Sequence, residues 1–161
     1  KLDFSIGEIM NNEANTGIKL AGQLNIVVRD KNGNIKEERI EKNLIVTVGL
    51  TFICSRMTAA SAGVMSHMAL GSGTTAVAAG QTDLVSILGS REALDSTTPS
   101  TNTVIYVSSF EAGDATGAVT EAGIFNASSS GTMLCRTVFP VVNKQSDDTM
   151  SVTWTITLTA S

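Results

Sequence analysis

With 161 residues the chain is long enough to bury one core without disulfides or metals, and a single domain is the expectation. The formal net charge is -4 and only 16% of the residues are charged, against roughly 25% in typical soluble domains, with Ser, Thr, Gly and Ala filling the gap. No Lys/Arg cluster offers a footprint for a nucleic-acid backbone and no apolar run approaches the roughly 20 residues that span a bilayer, so neither nucleic acid nor membrane is an expected direct partner.

In chain order, residues 1–17 are mixed, and Asn11, Asn12, Asn15 and Gly17 break any period. Residues 1–19 are expected to form an N-terminal arm and 20–161 the domain. Leu24, Ile26 and Val28 alternate with polar neighbours, which predicts a strand over 20–29. Asp30-Lys31-Asn32-Gly33-Asn34 supplies an Asn-Gly turn, and the charged segment 35–42 returns as the partner strand of a hairpin with a wet face. Asp30, Asn32 and Asn34 imitate the start of a calcium loop. The sixth position, where that loop needs Gly, is Ile35, and calcium is not expected.

Over 43–57 the period changes: Val46, Leu50, Ile53, Cys54 and Met57 recur at three- and four-residue spacings, predicting the one helix, with Asn43 as its cap. Gly49 inside it costs about 1 kcal/mol relative to Ala, so the helix either packs closely on the sheet there or begins later. A short strand over 66–70 runs into Gly71-Ser72-Gly73-Thr74-Thr75. That loop lacks the Gly-Lys-Ser/Thr ending of a phosphate-binding loop and reads as a turn. Residues 76–83 continue as loop, 87–93 are expected as a strand, and 95–101, with Pro99, as a polar connection. The segment 103–111 is apolar on much of both faces, as a buried strand would be. Residues 119–126 and 132–139 form a predicted hairpin that Pro140 ends.

From Thr149 to Thr159, Met150, Val152, Trp154, Ile156 and Leu158 alternate with Ser151 and four threonines. This is a strand with one buried face, and the sole tryptophan sits in its middle. About eight strands and one helix make a mainly β, single-domain antiparallel β-sandwich or barrel.

Candidates for chemistry are few. His67 is the only histidine, and no Gly-x-Ser-x-Gly elbow accompanies it, so a structural or surface role is expected. Cys54 and Cys135 fit no metal-ligand spacing and are expected as buried free thiols; no metal or cofactor is expected. Carboxylate pairs such as Glu121 with Asp114, or Asp147 with Asp148, are acidic residues in or near turns, which are usually just solvated. Glu121 lies inside an apolar strand whose hairpin partner carries Arg136. A buried pairing of the two is the expectation, as a device that fixes register.

Three segments together carry a resemblance: Asn43-Leu44-Ile45-Val46-Thr47-Val48-Gly49-Leu50; Met68-Ala69-Leu70-Gly71-Ser72-Gly73-Thr74; and Thr120-Glu121-Ala122-Gly123-Ile124-Phe125-Asn126 with Met133-Leu134-Cys135-Arg136-Thr137-Val138-Phe139. In order and spacing they resemble tailed-bacteriophage virion proteins, over roughly residues 22–159. The final Val-Thr-Trp-Thr-Ile-Thr strand looks similar too. The resemblance implies a non-enzymatic virion component assembled in the host cytoplasm, and it carries no catalytic residues. Head decoration (cement) is the first expectation, as a homo-oligomer, trimer favoured, whose partner is the major capsid protein or another virion protein. The expected partner contacts are Lys1, Asp3, Phe4 and Ile6 on the arm, and Asn32 and Gly33 on the charged hairpin; Glu121, Arg136 and Trp154 are the structural candidates. A tail or collar adaptor or fibre base is the nearest rival. A host-receptor or glycan-binding module is a further one, although such sites favour exposed aromatics and only 4% of the chain is aromatic.

Overall fold

The computed structural model describes residues 17–58 and 63–160. Among them are ten strands and one helix: β1 (Ile18–Arg29), β2 (Ile35–Lys42), β3 (Leu44–Ile45), α1 (Thr47–Ser55), β4 (His67–Gly71), β5 (Glu92–Ala93), β6 (Ser96–Ser100), β7 (Thr103–Phe110), β8 (Gly117–Phe125), β9 (Met133–Lys144) and β10 (Thr149–Ala160). They form two five-stranded antiparallel sheets, in the orders β2-β1-β10-β7-β6 and β3-β9-β8-β4-β5. The result is a mainly β sandwich with one helix, and neither sheet closes into a barrel.

The alternation in β10 places that strand at the centre of the first sheet, where it pairs with β1 along its full length and with β7 on its other side. Met150, Val152, Trp154 and Ile156 point inward, next to Leu24, Ile26 and Val28 of β1 and Tyr106 and Phe110 of β7. Ala122 and Ile124 of β8, Leu134 and Cys135 of β9, and Met68 and Leu70 of β4 face them from the second sheet. The outer face of the second sheet is covered as well, by α1 and the long loop between β4 and β5. There Val46, Ala69, Phe125 and Met133 make a smaller second core, with Val48 and Leu84 against it.

Several expectations need correcting. Strand β1 begins at Ile18, two residues before the strand expected from residue 20. The helix begins only at Thr47. Leu44 and Ile45 pair with Arg136 and Cys135 as a two-residue strand, and the helix N-cap is Val46, with no side-chain cap. The carbonyl of Ala79 accepts the Thr47 N–H instead, at 2.8 Å. Asn43 serves elsewhere: it sits where the chain crosses between the sheets, and its Oδ1 accepts the Trp154 indole N–H at 3.1 Å.

The expected strand over 87–93 shrinks to Glu92–Ala93 and a single bridge from Ile87 to Gly71. The expected polar connection at 95–101 contains β6, an exposed edge strand, where Pro99 is tolerated because one side of an edge strand pairs with nothing. Pro140 does not end its strand either. The register shift between Val119 and Glu121 leaves residues 139–141 opposite Thr120 alone, and Pro fits that bulge while β9 runs on to Lys144. Cys135 is buried as expected, but Cys54 is exposed, because α1 turns only part of its surface to the sheet.

Gly49 is where the helix meets the sheet. A Cβ added there would lie 2.0 Å from the Leu134 carbonyl oxygen, which is fixed backbone of β9. Gly49→Ala is therefore expected to destabilise by about 1–3 kcal/mol, although alanine is the better helix former. Urea unfolding measures this; an unchanged or higher midpoint would show that the helix is not seated on β9.

Candidate functional site

The most elaborate side-chain arrangement lies on the outer face of the second sheet. Glu121 of β8 and Arg136 of β9 are both fully buried there. They are not directly opposite, since Glu121 pairs with Val138 and Arg136 with Gly123, so the contact is diagonal across the ladder. Arg136 Nε donates to Glu121 Oε2 at 2.8 Å; its Nη2 lies 2.6 Å from the same oxygen without the alignment of a hydrogen bond.

The rest of the network reaches into the loop between β4 and β5, residues 72–91. The Glu121 carboxylate accepts the backbone N–H groups of Gly73 (3.0 Å), Val85 (3.1 Å) and Ser86 (2.7 Å). Arg136 Nη1 donates to the Thr75 carbonyl and to Gln81 Oε1, which also accepts the Ala78 N–H. The glycine-rich turn thus does hold an anion, and that anion is the protein's own carboxylate. Its glycines are required by the close approach: a Cβ on Gly71 or Gly73 would lie 2.6 or 2.4 Å from Glu121 Oε1. A second arginine fixes the far end of the loop. Arg91 stacks 3.6 Å from the Phe125 ring centroid, donates to the carbonyls of Ala127 and Ser130, and pairs with Asp83 at 3.0 Å.

Burial works to raise the Glu121 pKa, but the N–H groups of Ser86 and Val85 and the Arg136 guanidinium outweigh it and hold the carboxyl below its ordinary value. A carboxylate so saturated with donors is a poor proton acceptor. The arrangement anchors a loop; it does not offer a free base. The anchored loop presents Val77, Val85 and Ile87 to solvent.

The remaining candidates do not converge on this site. His67 is half-buried on β4 and its Nδ1 is 2.8 Å from the Ser66 hydroxyl. Asn32 and Gly33 lie at the exposed tip of the β1–β2 hairpin, where Asp30 Oδ1 accepts the N–H groups of Asn32 and Asn34. The expected contacts Lys1, Asp3, Phe4 and Ile6 lie outside the described residues.

Asp114 and Asp148 take up local structure at the hairpin end of the sandwich. Asp114 accepts the Glu111 N–H, and Asp148 is buried against Lys36 at 2.5 Å and the Gln145 N–H. Lys144, not anticipated from the sequence, is buried beside them and donates to the Glu111 carbonyl at 2.8 Å. Burial lowers its pKa against the pull of Asp114, Asp148 and Glu111. With the strand expected to end at Pro140, nothing in the sequence marks Lys144 as an inward-facing residue. Among the described residues, no group of three or more His, Cys, Asp or Glu side chains could hold a metal ion, and no helix is long and apolar enough to cross a membrane. No protein-family model matches the chain, and no curated protein or solved structure matches it either.

Proposed function

We propose that this chain is a non-enzymatic structural protein of a tailed-bacteriophage particle, an oligomeric decoration protein on the outside of the head. The observation that carries the reading is spatial. The segments that resemble phage virion proteins are spread over residues 43–139, yet they fold into β3, β4, β8 and β9 of a single sheet with α1 upon it. Their distinctive residues, Gly71, Gly73, Glu121 and Arg136, all serve to pin one surface loop. A motif whose members jointly build a rigid surface suits a protein that works by assembling.

The opposite face of the molecule fits the same role. On the outside of the first sheet, Ser151, Thr153, Thr155 and Thr157 run between Ile105 and Val107 on one side and Ala21, Gln23, Asn25 and Val27 on the other, an uncharged band bordered on the β2 side by Glu38 and Lys42. Covering that central band costs little, because no ion within it has to be desolvated. A protein bound across junctions between shell subunits adds contacts that exist only in the closed shell, and so stabilises that shell by mass action.

Gold-labelled antibody imaging of intact particles is the direct test. Label spread over the head is the expected result. Label confined to the neck or tail would discard decoration in favour of an adaptor or fibre base, and unlabelled particles would overturn the virion reading altogether.

A further inference from the structure

Across the middle of the outer face of the first sheet, charge is confined to the β2 edge. Glu38, Ile40 and Lys42 follow one another there, all three exposed, Ile40 by 61%. The register fixes their rows: Lys42 lies level with Gln23, Thr155 and Ile105, Ile40 with Asn25, Thr153 and Val107, and Glu38 with Val27, Ser151 and Ser109. The Asn25 amide donates to Glu38 Oε1 at 3.4 Å, and Lys42 borders a depression with Gln23, Thr155 and Thr157, so both charges stand on this face. They sit one row to either side of Ile40 and are opposite in sign. At the far edge of the sheet, the rows of Ile40 and Lys42 end in Ser96 and Thr98 of β6, which carry no charge.

This spacing is self-complementary. In a two-fold contact, if one residue meets another on the partner, the reverse pair forms as well. An axis lying in the interface, perpendicular to the strands and through the row of Ile40, carries the row of Glu38 onto the row of Lys42. Sheets packed face to face stand about 10 Å apart, a gap that a glutamate and a lysine reaching from opposite sides can span. Each copy's Glu38 then meets the partner's Lys42, and Ile40 packs on its own counterpart. An axis along the strands would instead lay β2 over β6, where Ser96 and Thr98 offer neither charge a counterion. The size is adequate too. A face five strands wide and about eight residues long measures about 600 Å². Two such faces reach the roughly 1,200 Å² at which specific interfaces begin.

We propose that the outer face of the first sheet is a two-fold contact with a second copy of this chain, centred on the row of Ile40 and keyed by Glu38 and Lys42. Val27, Ile105 and Val107 supply apolar contact among the hydroxyls of the central band. The charges at its margin set the register, since a slip of one row in either direction separates both pairs. One chain carries both halves of the contact at matching distances from its centre, so a second copy suffices as the partner. The inference names the copy-to-copy contact of the oligomer proposed above, and rests on that reading for there being an oligomer.

Glu38→Lys and Lys42→Glu, made singly in the full chain and studied in reducing buffer at low salt, test it. Each sets like charges against each other at both contacts, so each variant is expected to dimerise about 10- to 100-fold more weakly in sedimentation equilibrium, with the far-ultraviolet dichroism unchanged. Mixing the two variants should restore association, because one then carries lysine at both positions and the other glutamate. Native mass spectrometry of the mixture should show mixed dimers in excess of like ones, and the double variant, with its charges exchanged, should dimerise by itself. An original chain that stays monomeric, a dimer that neither substitution weakens, or a mixture that stays dissociated would each overturn the proposal. Loss of head label through Glu38→Lys in a chain that sediments as a monomer would give the face to the shell protein and overturn it as well. Head label without a charge-coupled dimer would leave the virion reading standing and remove only the pairing, whereas a charge-coupled dimer on unlabelled particles would do the reverse.

Discussion

Arg136→Met is expected to cost about 3–5 kcal/mol of folding stability, because it leaves the Glu121 carboxylate buried without its countercharge. Glu121→Leu should cost a similar amount, since it strands the guanidinium as well as the N–H groups of Gly73, Val85 and Ser86. The double variant should cost about as much as either single one rather than their sum, which is the signature of two residues acting as a unit. It should not return to the original stability, as an isolated buried pair sometimes does, because the three loop N–H groups still lack an acceptor. Urea unfolding of the four proteins measures the coupling, and hydrogen exchange locates it: protection should fall first over residues 72–91. Additive losses, or loss of protection spread evenly over both sheets, would show that the pair does not staple the loop.

The same carboxylate sets the sign of a pH effect. A pKa lowered on folding contributes stability above the ordinary carboxylate value of 4.5, and that contribution is lost as pH falls through the lower folded value. Glu121→Leu removes this contribution, so its stability should decline less steeply below that pH. The decline does not vanish, because hydrogen bonds from Lys36 and the Gln145 N–H hold the Asp148 pKa down in the same direction.

What could be read from the sequence depended on whether an element's residues or its neighbours determine it. β1, β2 and β10 carry their own alternation and turn chemistry, and they fold as that pattern says. Leu44 and Ile45 carry no such signal: they are a strand only because β9 lies beside them, and in isolation they look like the first turn of the helix. β6 is all Ser, Thr and Pro, and its backbone pairing with β7 has no hydrophobic signature. The ion pair was legible because a charge inside an apolar strand demands a partner. The loop it holds was not, since backbone N–H donors are the same in every residue; the trace they left was glycine at positions 71 and 73, where the carboxylate leaves no room for a side chain.

Trp154→Ala should cost about 3–5 kcal/mol, a large part of the roughly 5–15 kcal/mol that holds a domain together. The indole is fully buried at the middle of the central strand, between Leu24 on β1 and Tyr106 on β7, where strands packed on both sides give the cavity little freedom to collapse. Trp154→Phe separates packing from hydrogen bonding. It keeps most of the apolar surface but removes the donor to Asn43 Oδ1, on a side chain whose buried Nδ2 has no partner among the described residues. A smaller loss of about 1–3 kcal/mol is expected, concentrated where the chain crosses from β2 to β3. Since the substitution removes the sole tryptophan, unfolding is followed by far-ultraviolet dichroism, and hydrogen exchange at residues 42–46 reports the crossover. A phenylalanine variant as unstable as the alanine one would show that Asn43 needs the indole to hold the two sheets together, and a stable alanine variant would show that the core does not depend on β10.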